Sequence, residues 1–287
     1  MADVYDEFER YVNTQESIQG LPTSLRDLTA LTGGFRPGEL TILAARPGMG
    51  KSAYLAQLAY HIATQTDAGV LLFLNEMTER STAWRWLSQT ANVNATLLRD
   101  PVKVPPMSFD RITTAIGAFE ALKLYVNDDV SATTADMEEQ IVWHQRLWGD
   151  NLIVIWDGMY RGEPLTEYSN NHERYGALSR ELKTLALRND IPVVASHQLS
   201  RKVESRADKM PRLSDLRESG NIEEDADYVW FILRQIMYDD MYEFPNEAKF
   251  GVAKARHSQP GTVTTYFEPS TLRFYDGQAK HIDLRDL

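Results

Sequence analysis

One short segment of the chain has the residue types and spacing of a polyphosphate-binding loop. Residues 45–52 read Ala-Arg-Pro-Gly-Met-Gly-Lys-Ser and follow directly on an apolar run. Gly48 and Gly50 allow a tight turn whose backbone N–H groups can point inward at phosphates. Lys51 offers a mobile positive charge to the β- and γ-phosphates, and the Ser52 hydroxyl can ligate Mg²⁺. The pattern predicts that the chain binds ATP with Mg²⁺. The predicted binding residues are Arg46, Pro47, Gly48, Met49, Gly50, Lys51 and Ser52.

Three further polar residues, Glu76, Asp157 and Gln198, each stand at the end of an apolar run. In a parallel α/β sheet the ligand crevice lies beyond the carboxyl ends of the strands, so we expect these side chains to meet around the phosphates. Asp157 would hold Mg²⁺ together with Ser52. Glu76 would orient the attacking water, and Gln198 would sense the γ-phosphate and signal to the residues that follow it.

The elements that must position these residues alternate between strands and helices. Such alternation is typical of a mainly parallel sheet with helices on both faces. The predicted strands are residues 39–44, 70–74, 124–126, 152–156, 192–196, 228–233, 248–253 and 262–267. The predicted helices are residues 51–64, 81–90, 134–147 and 174–188. Short turns between the last strands predict an antiparallel extension of the sheet.

The first 20 residues differ from the rest of the chain. Apolar residues within 4–12 recur at the spacing of an amphipathic helix, and residues 13–20 are polar. A helix this short is only marginally stable by itself. Its apolar face must therefore dock on its own domain or on a neighbouring subunit. We expect a linker-like helix and connector over residues 1–20 and a single ATPase domain over residues 21–287.

Composition excludes several classes of protein. The 287 residues include no cysteine, which rules out disulfides and thiolate metal sites. No apolar stretch approaches the ~18 residues of a membrane span, and the acidic N-terminus lacks the apolar region of a signal peptide. We therefore expect a cytoplasmic protein without a membrane partner.

The distribution of charge restricts how the chain can meet nucleic acid. A net charge of −11 disfavours a protein that coats DNA with its whole surface. Positive charge is nevertheless concentrated in residues 201–217, where Lys and Arg outnumber Asp and Glu. This basic segment is a candidate for contact with a nucleic-acid strand. The alternative is an ordinary solvated loop.

The order of the motifs resembles the RecA-like motor domain of DnaB-type hexameric replicative helicases. The resemblance extends over roughly residues 21–275, and its most specific part is 211–227, which generic P-loop ATPases do not carry. It rests on residues 40–54, 74–77, 155–157, 196–201, 211–227 and 253–256. It implies an α/β, RecA-like P-loop NTPase core with antiparallel C-terminal strands.

The resemblance also implies a ring whose ATP sites lie between subunits. Residues that match Lys254 and Arg256 reach the neighbouring subunit's nucleotide, where Arg256 would act as an arginine finger. The alternative is that both merely face solvent. Residues that match 217–220 lie in a loop that lines the central channel and holds the phosphates of single-stranded DNA. The predicted catalytic residues are Glu76, Lys51, Gln198, Arg256 and Lys254. The predicted DNA-binding residues are Arg201, Arg206, Arg212, Arg217, Glu218 and Gly220.

The sequence-based expectation is therefore an ATP-hydrolysing translocase or helicase on single-stranded DNA in replication. It would act as a homo-oligomer, a hexamer in that family, with a loader or other replication proteins as partners. The family's N-terminal collar domain has no counterpart in the sequence, so we expect a minimal, phage-type motor. Asn75 stands where the family commonly has Leu. The alternatives are a RecA-class recombination ATPase and a non-translocating ATP-binding regulator of a host helicase.

Overall fold

A single twisted sheet organises the part of the chain that the computed structural model describes, residues 20–219 and 222–277. Nine strands of these residues pair in the order β3-β2-β4-β5-β1-β6-β7-β8-β9. The strands are β1 Leu40–Ala45, β2 Gly69–Leu74, β3 Leu124–Asn127, β4 Leu152–Asp157, β5 Val193–Gln198, β6 Tyr228–Leu233, β7 Glu247–Ala255, β8 Gly261–Glu268 and β9 Arg273–Asp276. The predicted helix within residues 4–12 lies outside the described residues.

The first six strands pair in parallel, and the last three extend the sheet in antiparallel fashion. β1 lies between β5 and β6, while β4 bridges β5 and β2. β7 pairs antiparallel with β6, β8 with β7, and β9 with β8. β1, β2, β4 and β6 are buried along their whole length, as their near-continuous apolar sequences require. The predicted mainly parallel sheet with antiparallel C-terminal strands is confirmed.

Helices cover both faces of the sheet and form a separate apolar core on each. The described helices are α1 Arg26–Thr32, α2 Lys51–Gln65, α3 Glu79–Ala91, α4 Ala95–Leu98, α5 Phe109–Phe119, α6 Thr134–Trp148, α7 Asn171–Asn189 and α8 Ile222–Asp225. α2 buries Leu55, Leu58 and Ile62 in one core. α7 buries a stripe that includes Leu178 and Leu182 in the other.

Helix ends follow local chemistry. Thr133 and Asp136 form a reciprocal capping box at the start of α6, and the Thr78 side chain accepts a hydrogen bond from the backbone of Ser81 at the start of α3. Each cap satisfies backbone N–H groups that a helix start otherwise leaves unpaired. These caps explain why the predicted starts of the central helices lie within two or three residues of the observed ones.

Five elements were not predicted from the sequence: α1, α4, α5, α8 and β9. β9 has only four residues, and its pairing with β8 depends on a contact made across a turn. α5 forms a small cluster with α3 and the residues that follow it, and its Phe119 also packs against the core on one face of the sheet. Its apolar residues recur at helical spacing, so the signal was present in the sequence but was not recognised. None of the helices in the described ranges is long and apolar enough to cross a membrane.

The start of β2 gives a test of close packing. A methyl group added at Gly69 would lie 2.5 Å from the ring of Trp148 and 2.6 Å from a methyl group of Leu152. We expect Gly69→Ala to lower the free energy of unfolding by about 1–3 kcal/mol because of this overlap. Gly117→Ala is the matched control. Its methyl group would meet no atom within 4 Å, and a helical alanine should stabilise by about 0.5–1 kcal/mol.

Chemical denaturation of the two variants and the parent chain measures both effects. Equal stability of the Gly69→Ala variant and the parent would contradict the packing described for β2 and α6.

Candidate functional site

The carboxyl ends of four adjacent parallel strands meet at one edge of the sheet. Gln198 at the end of β5 is in register with Ala45 at the end of β1. Asp157 at the end of β4 is in register with Leu74 at the end of β2. The backbone N–H of Asn75 donates to the Asp157 carbonyl at 2.7 Å, which continues this alignment past the strand ends. The structure thus brings the predicted residues of the loop, β2, β4 and β5 to the same edge.

The predicted phosphate loop connects β1 to α2 through two left-handed glycines. Gly48 has φ +81° and Gly50 has φ +101°, which are backbone conformations that other residues rarely adopt. Residues beyond β6 hold the loop from the side, because the Arg234 guanidinium donates to the Gly48 carbonyl at 3.3 Å. Met49 is buried in the core beneath the loop. The loop therefore has the backbone that a polyphosphate cradle requires.

Lys51 is a buried cation at the first turn of α2. Its side chain is only 7% exposed, and its ammonium group lies 5.8 Å from the ring centroid of Tyr160. Burial lowers the pKa of Lys51, and the negative charges of Asp157 and Glu76 oppose that shift. No oxygen of the described residues holds the ammonium group by a hydrogen bond. A largely desolvated ammonium group in this state favours a strongly anionic ligand.

Asp157 and Ser52 supply the oxygen ligands that suit Mg²⁺. Asp157 is buried, and its carboxylate accepts a hydrogen bond of 2.7 Å from the Ser196 hydroxyl on β5. Ser52 lines the same small pocket as Asp157. The described residues contain no group of three or more His, Asp or Glu that could hold a metal by themselves. One hydroxyl and one carboxylate fit Mg²⁺, which keeps waters and takes phosphate oxygens as its other ligands.

Glu76 reaches the site from β2 and is paired with an unpredicted residue. Its side chain is exposed, and the hydroxyl of Tyr160 lies near enough to interact with its carboxylate. Burial raises the pKa of Tyr160, and the interaction with Glu76 raises it further. Tyr160 is therefore a neutral neighbour of the Glu76 carboxylate at physiological pH. A tyrosine three residues after a strand-end acid carries no sequence signal of this role.

Asn75 links the ends of β2 and β4 through buried hydrogen bonds. Its side-chain oxygen accepts from the indole N–H of Trp156 at 2.7 Å, and its amide nitrogen donates to the Val130 carbonyl at 3.1 Å. Asn75 is 1% exposed. Asn75 is a position at which the sequence departs from the family pattern, and Trp156 is its partner. The structure shows that they form one pair.

Arg85 on α3 was also missed by sequence reasoning. It lines the same pocket as Ser52 and Asp157. Two of its guanidinium nitrogens are buried and have no hydrogen-bond partner in the described part of the chain. Burial lowers the pKa of Arg85, and the charges of Asp157 and Glu76 oppose the shift. A second, partly buried cation thus lies beside Ser52 and Asp157. Only the fold reveals it, since helical arginines are common on surfaces.

His197 is held neutral in the core of the site. Burial, together with the charge of Lys51, lowers the pKa of His197 to about 3. Its ring contacts the ring of Tyr175 edge to face, at 4.8 Å between centroids. The neighbouring Gln198 is partly exposed at the end of β5, beside the phosphate loop, as predicted.

The basic segment 201–217 begins directly after β5, and its predicted DNA contacts differ in accessibility. Arg201 is exposed, whereas Arg206 forms a two-pronged ion pair with Asp215, with both bonds at 2.9 Å. The Arg212 side chain is 61% exposed and pairs with Asp208 at 3.1 Å. Arg206 therefore shapes the segment from within, while the other two face outward. The side chains of Arg217 and Glu218, and Gly220 itself, lie outside the described residues.

Lys254 and Arg256 contact residues within 223–227, which follow the predicted DNA-binding loop. The Lys254 ammonium donates to backbone carbonyls of residues 223–226, among them Ala226 at 2.6 Å. The Arg256 guanidinium pairs with the buried carboxylate of Asp227 at 3.0 Å and donates to the Glu224 carbonyl at 2.7 Å. Within this chain both side chains are bonded to α8 and to the residues just after it, so they do not merely face solvent.

The model of the DnaB-like helicase C terminal domain family matches residues 20–276. The chain belongs to this family. It is 35% identical over 268 residues to the replicative DNA helicase DnaB of Geobacillus stearothermophilus and 33% identical over 284 residues to the replicative DNA helicase DnaC of Bacillus subtilis (strain 168). These alignments cover 93% and 99% of the chain but only 59% and 62% of the relatives' length.

Solved structures agree with the sequence relatives. A structure solved as an isolated ATPase domain superposes with a TM-score of 0.91 at 29% identity, covering 96% of this chain and 97% of that one. A DnaB-like replicative helicase, solved in a study of its interactions with primase, gives 0.89 at 29% identity over 96% of this chain and 66% of that one. The RadB recombinase shares the fold alone, with a TM-score of 0.53 at 13% identity. The predicted RecA-like fold and the predicted family are confirmed.

The buried pair at the strand ends can be tested by a double-mutant cycle. Asn75→Leu should lower the free energy of unfolding by about 1–3 kcal/mol, because the buried indole N–H of Trp156 loses its acceptor. Adding Trp156→Phe should recover part of this loss, since no buried donor then remains. Urea denaturation of the four proteins measures the coupling. Additive losses would show that the pair does not exist.

The neutral state of His197 predicts a specific dependence of stability on pH. In the unfolded chain a histidine takes up its proton near pH 6.5, whereas folded His197 does so only near pH 3. The unfolded state therefore binds the extra proton between these values, and stability falls as the pH drops from 6.5 toward 3. His197→Gln should lose less stability over this range than the parent. Parallel curves from denaturation at pH 7 and pH 4.5 would contradict a buried neutral His197.

Proposed function

We propose that this chain is an ATP-driven motor domain that moves along single-stranded DNA in replication. The observation that carries the proposal is the meeting of Lys51, Ser52, Asp157 and Glu76 at one sheet edge, with the basic segment emerging from the same edge after Gln198. Two relatives that are at least 33% identical carry the name replicative DNA helicase. The chain spans about six-tenths of their length, so this proposal concerns the motor alone.

The residues divide the chemistry of ATP hydrolysis between them. The loop N–H groups and Lys51 bind the phosphates, and Ser52 and Asp157 would hold Mg²⁺. When bound, Mg²⁺ neutralises charge on the β- and γ-phosphates. Glu76 orients the attacking water and accepts its proton, with the Tyr160 hydroxyl near its carboxylate. Gln198 lies between the nucleotide site and the basic segment.

We propose that the site is completed by a neighbouring copy of the chain in a ring, the hexamer of the sequence expectation. Lys254 and Arg256 stand at the end of β7, where they would reach the next subunit's nucleotide. Their bonds to residues 223–227 occupy them in the single subunit. If the two cations exchanged these carbonyl and carboxylate partners for phosphate oxygens, they would act on the nucleotide bound by the neighbouring copy.

The DNA contacts are proposed for the outward-facing part of the basic segment. Arg201 and Arg212 offer accessible guanidinium groups for phosphates, and Arg217, Glu218 and Gly220 are proposed to act with them. Phosphate contacts give binding without base readout, as a translocating motor requires. A loader or other replication proteins, and a cytoplasmic location, belong to the same proposal.

The two alternatives make different predictions. A recombination ATPase would form open filaments, and the family match does not favour it. An ATP-binding regulator would turn over no ATP on DNA. The clustered Lys51, Glu76 and Asp157 support turnover instead.

ATP turnover measured against protein concentration, with and without single-stranded DNA, tests the proposal. We expect turnover to rise steeply with concentration and to be stimulated by DNA, because the site needs a neighbour. Lys51→Ala should abolish turnover in both conditions by removing the phosphate-binding cation. Flat turnover near zero that DNA does not change would support the regulator.

The arginine finger has its own test. Arg256→Ala should lower DNA-stimulated turnover by ~10³-fold or more, while a fluorescent ATP analogue still binds. Arg188→Ala, at an exposed arginine of α7, is the control and should behave as the parent does. Normal hydrolysis by the Arg256→Ala variant would show that the site is not shared in this way.

A further inference from the structure

The side chain of Arg46 leaves the phosphate loop and enters the basic segment. Its Nε donates to the Glu204 carboxylate at 2.7 Å, and its Nη1 donates to the Leu199 carbonyl at 2.6 Å. The Arg46 side chain is 12% exposed and that of Glu204 is 42% exposed. The pair thus joins residues that are 158 positions apart in the chain, one in the nucleotide loop and one in the segment proposed to contact DNA.

Glu204 takes part in the contacts that hold the basic segment in its conformation. It belongs to a helical turn, Arg201–Ser205, that follows β5. The Lys209 ammonium donates to the Glu204 carbonyl at 2.8 Å and lies 5.7 Å from the ring centroid of Tyr238. A shift of Glu204 would therefore move the backbone between the two outward-facing arginines of the segment.

The charge of Arg46 also acts on the nucleotide site. Its positive charge contributes to the lowered pKa of Lys51, so the two cations share one electrostatic field. A bound triphosphate would place negative charge in that field and compete with Glu204 for the Arg46 guanidinium. Nucleotide binding would therefore change the forces on the basic segment through this ion pair.

We propose that Glu204 is a positioning residue that couples the nucleotide site to the DNA-contacting segment through Arg46. This inference rests on the proposed function, since it assumes that the segment binds DNA. Coupling of this kind is reciprocal: nucleotide changes DNA affinity by the same factor as DNA changes nucleotide affinity. Glu204 itself touches neither ligand in this account.

The test measures the affinity for a fluorescent oligothymidine with and without a non-hydrolysable ATP analogue. The ratio of the two affinities in the parent should fall in the range of about 5- to 150-fold that is typical of coupled sites. Glu204→Gln should reduce this ratio to below about 3-fold, since the neutral amide loses the charge pair with Arg46. Turnover without DNA at saturating ATP should stay at the parent's value, while nucleotide affinity without DNA should rise, since the triphosphate no longer competes with Glu204 for Arg46. Glu204→Asp, which keeps the charge, should recover part of the ratio.

Glu163→Gln is the matched control. Glu163 pairs with Arg174 at 3.1 Å, and the exposures of that pair, 57% and 14%, resemble those of Glu204 and Arg46. This variant should keep the parent's ratio.

The outcomes separate the inference from the function on which it rests. A parent that binds no oligothymidine in either state overturns both. A parent that binds DNA with the same affinity in both states overturns the coupling alone, as does a Glu204→Gln variant that keeps the parent's ratio. Equal weakening of DNA binding in both states by Glu204→Gln would show a merely structural role and would also overturn the inference.

Discussion

Parallel pairing of β2, β4, β5 and β1 is the constraint on which the rest of the structure depends. Parallel strands end at the same edge of a sheet, so residues from four distant parts of the chain meet there. The register decides which residues meet: Asp157 stands beside Leu74, and Gln198 stands beside Ala45. A slip of one residue in either pair would turn these side chains to the other face of the sheet.

Buried hydrogen bonds between the strand ends hold this edge in place. Asn75 and Trp156 tie β2 to β4, and Ser196 ties β5 to Asp157. Farther along the sheet, buried Asp227 accepts from the backbone of Leu40 and from the ammonium group of Lys183, as well as from Arg256. Loss of one partner would leave a buried polar group unpaired, which costs more than the bond itself contributes. Buried hydrogen bonds thus connect the strand ends beside the predicted phosphate loop.

The sequence was most informative where chemistry and local structure coincide. The glycines of the phosphate loop and the strand-end acids could be predicted because each signal lies within a few residues. Asn75, Tyr160 and Arg85 could not, because their roles arise from contacts between elements that are distant in the chain. Likewise, charge counting in 201–217 treated all its arginines alike, whereas pairing with Asp215 turns Arg206 inward. β9 was missed because four residues carry little periodicity, whereas the apolar residues of α5 do recur at helical spacing and were overlooked.

The central claim is that each ATP site is built from two copies of this chain. Mixing Lys51→Ala subunits with Arg256→Ala subunits tests it most directly, by turnover on single-stranded DNA. Each variant alone should be inactive, because one lacks the phosphate-binding lysine and the other lacks the finger. In the mixture, an Arg256→Ala subunit keeps Lys51 and receives Arg256 from its neighbour, so turnover should return. A mixture as inactive as its components, in which both variants still bind each other, would contradict the shared site.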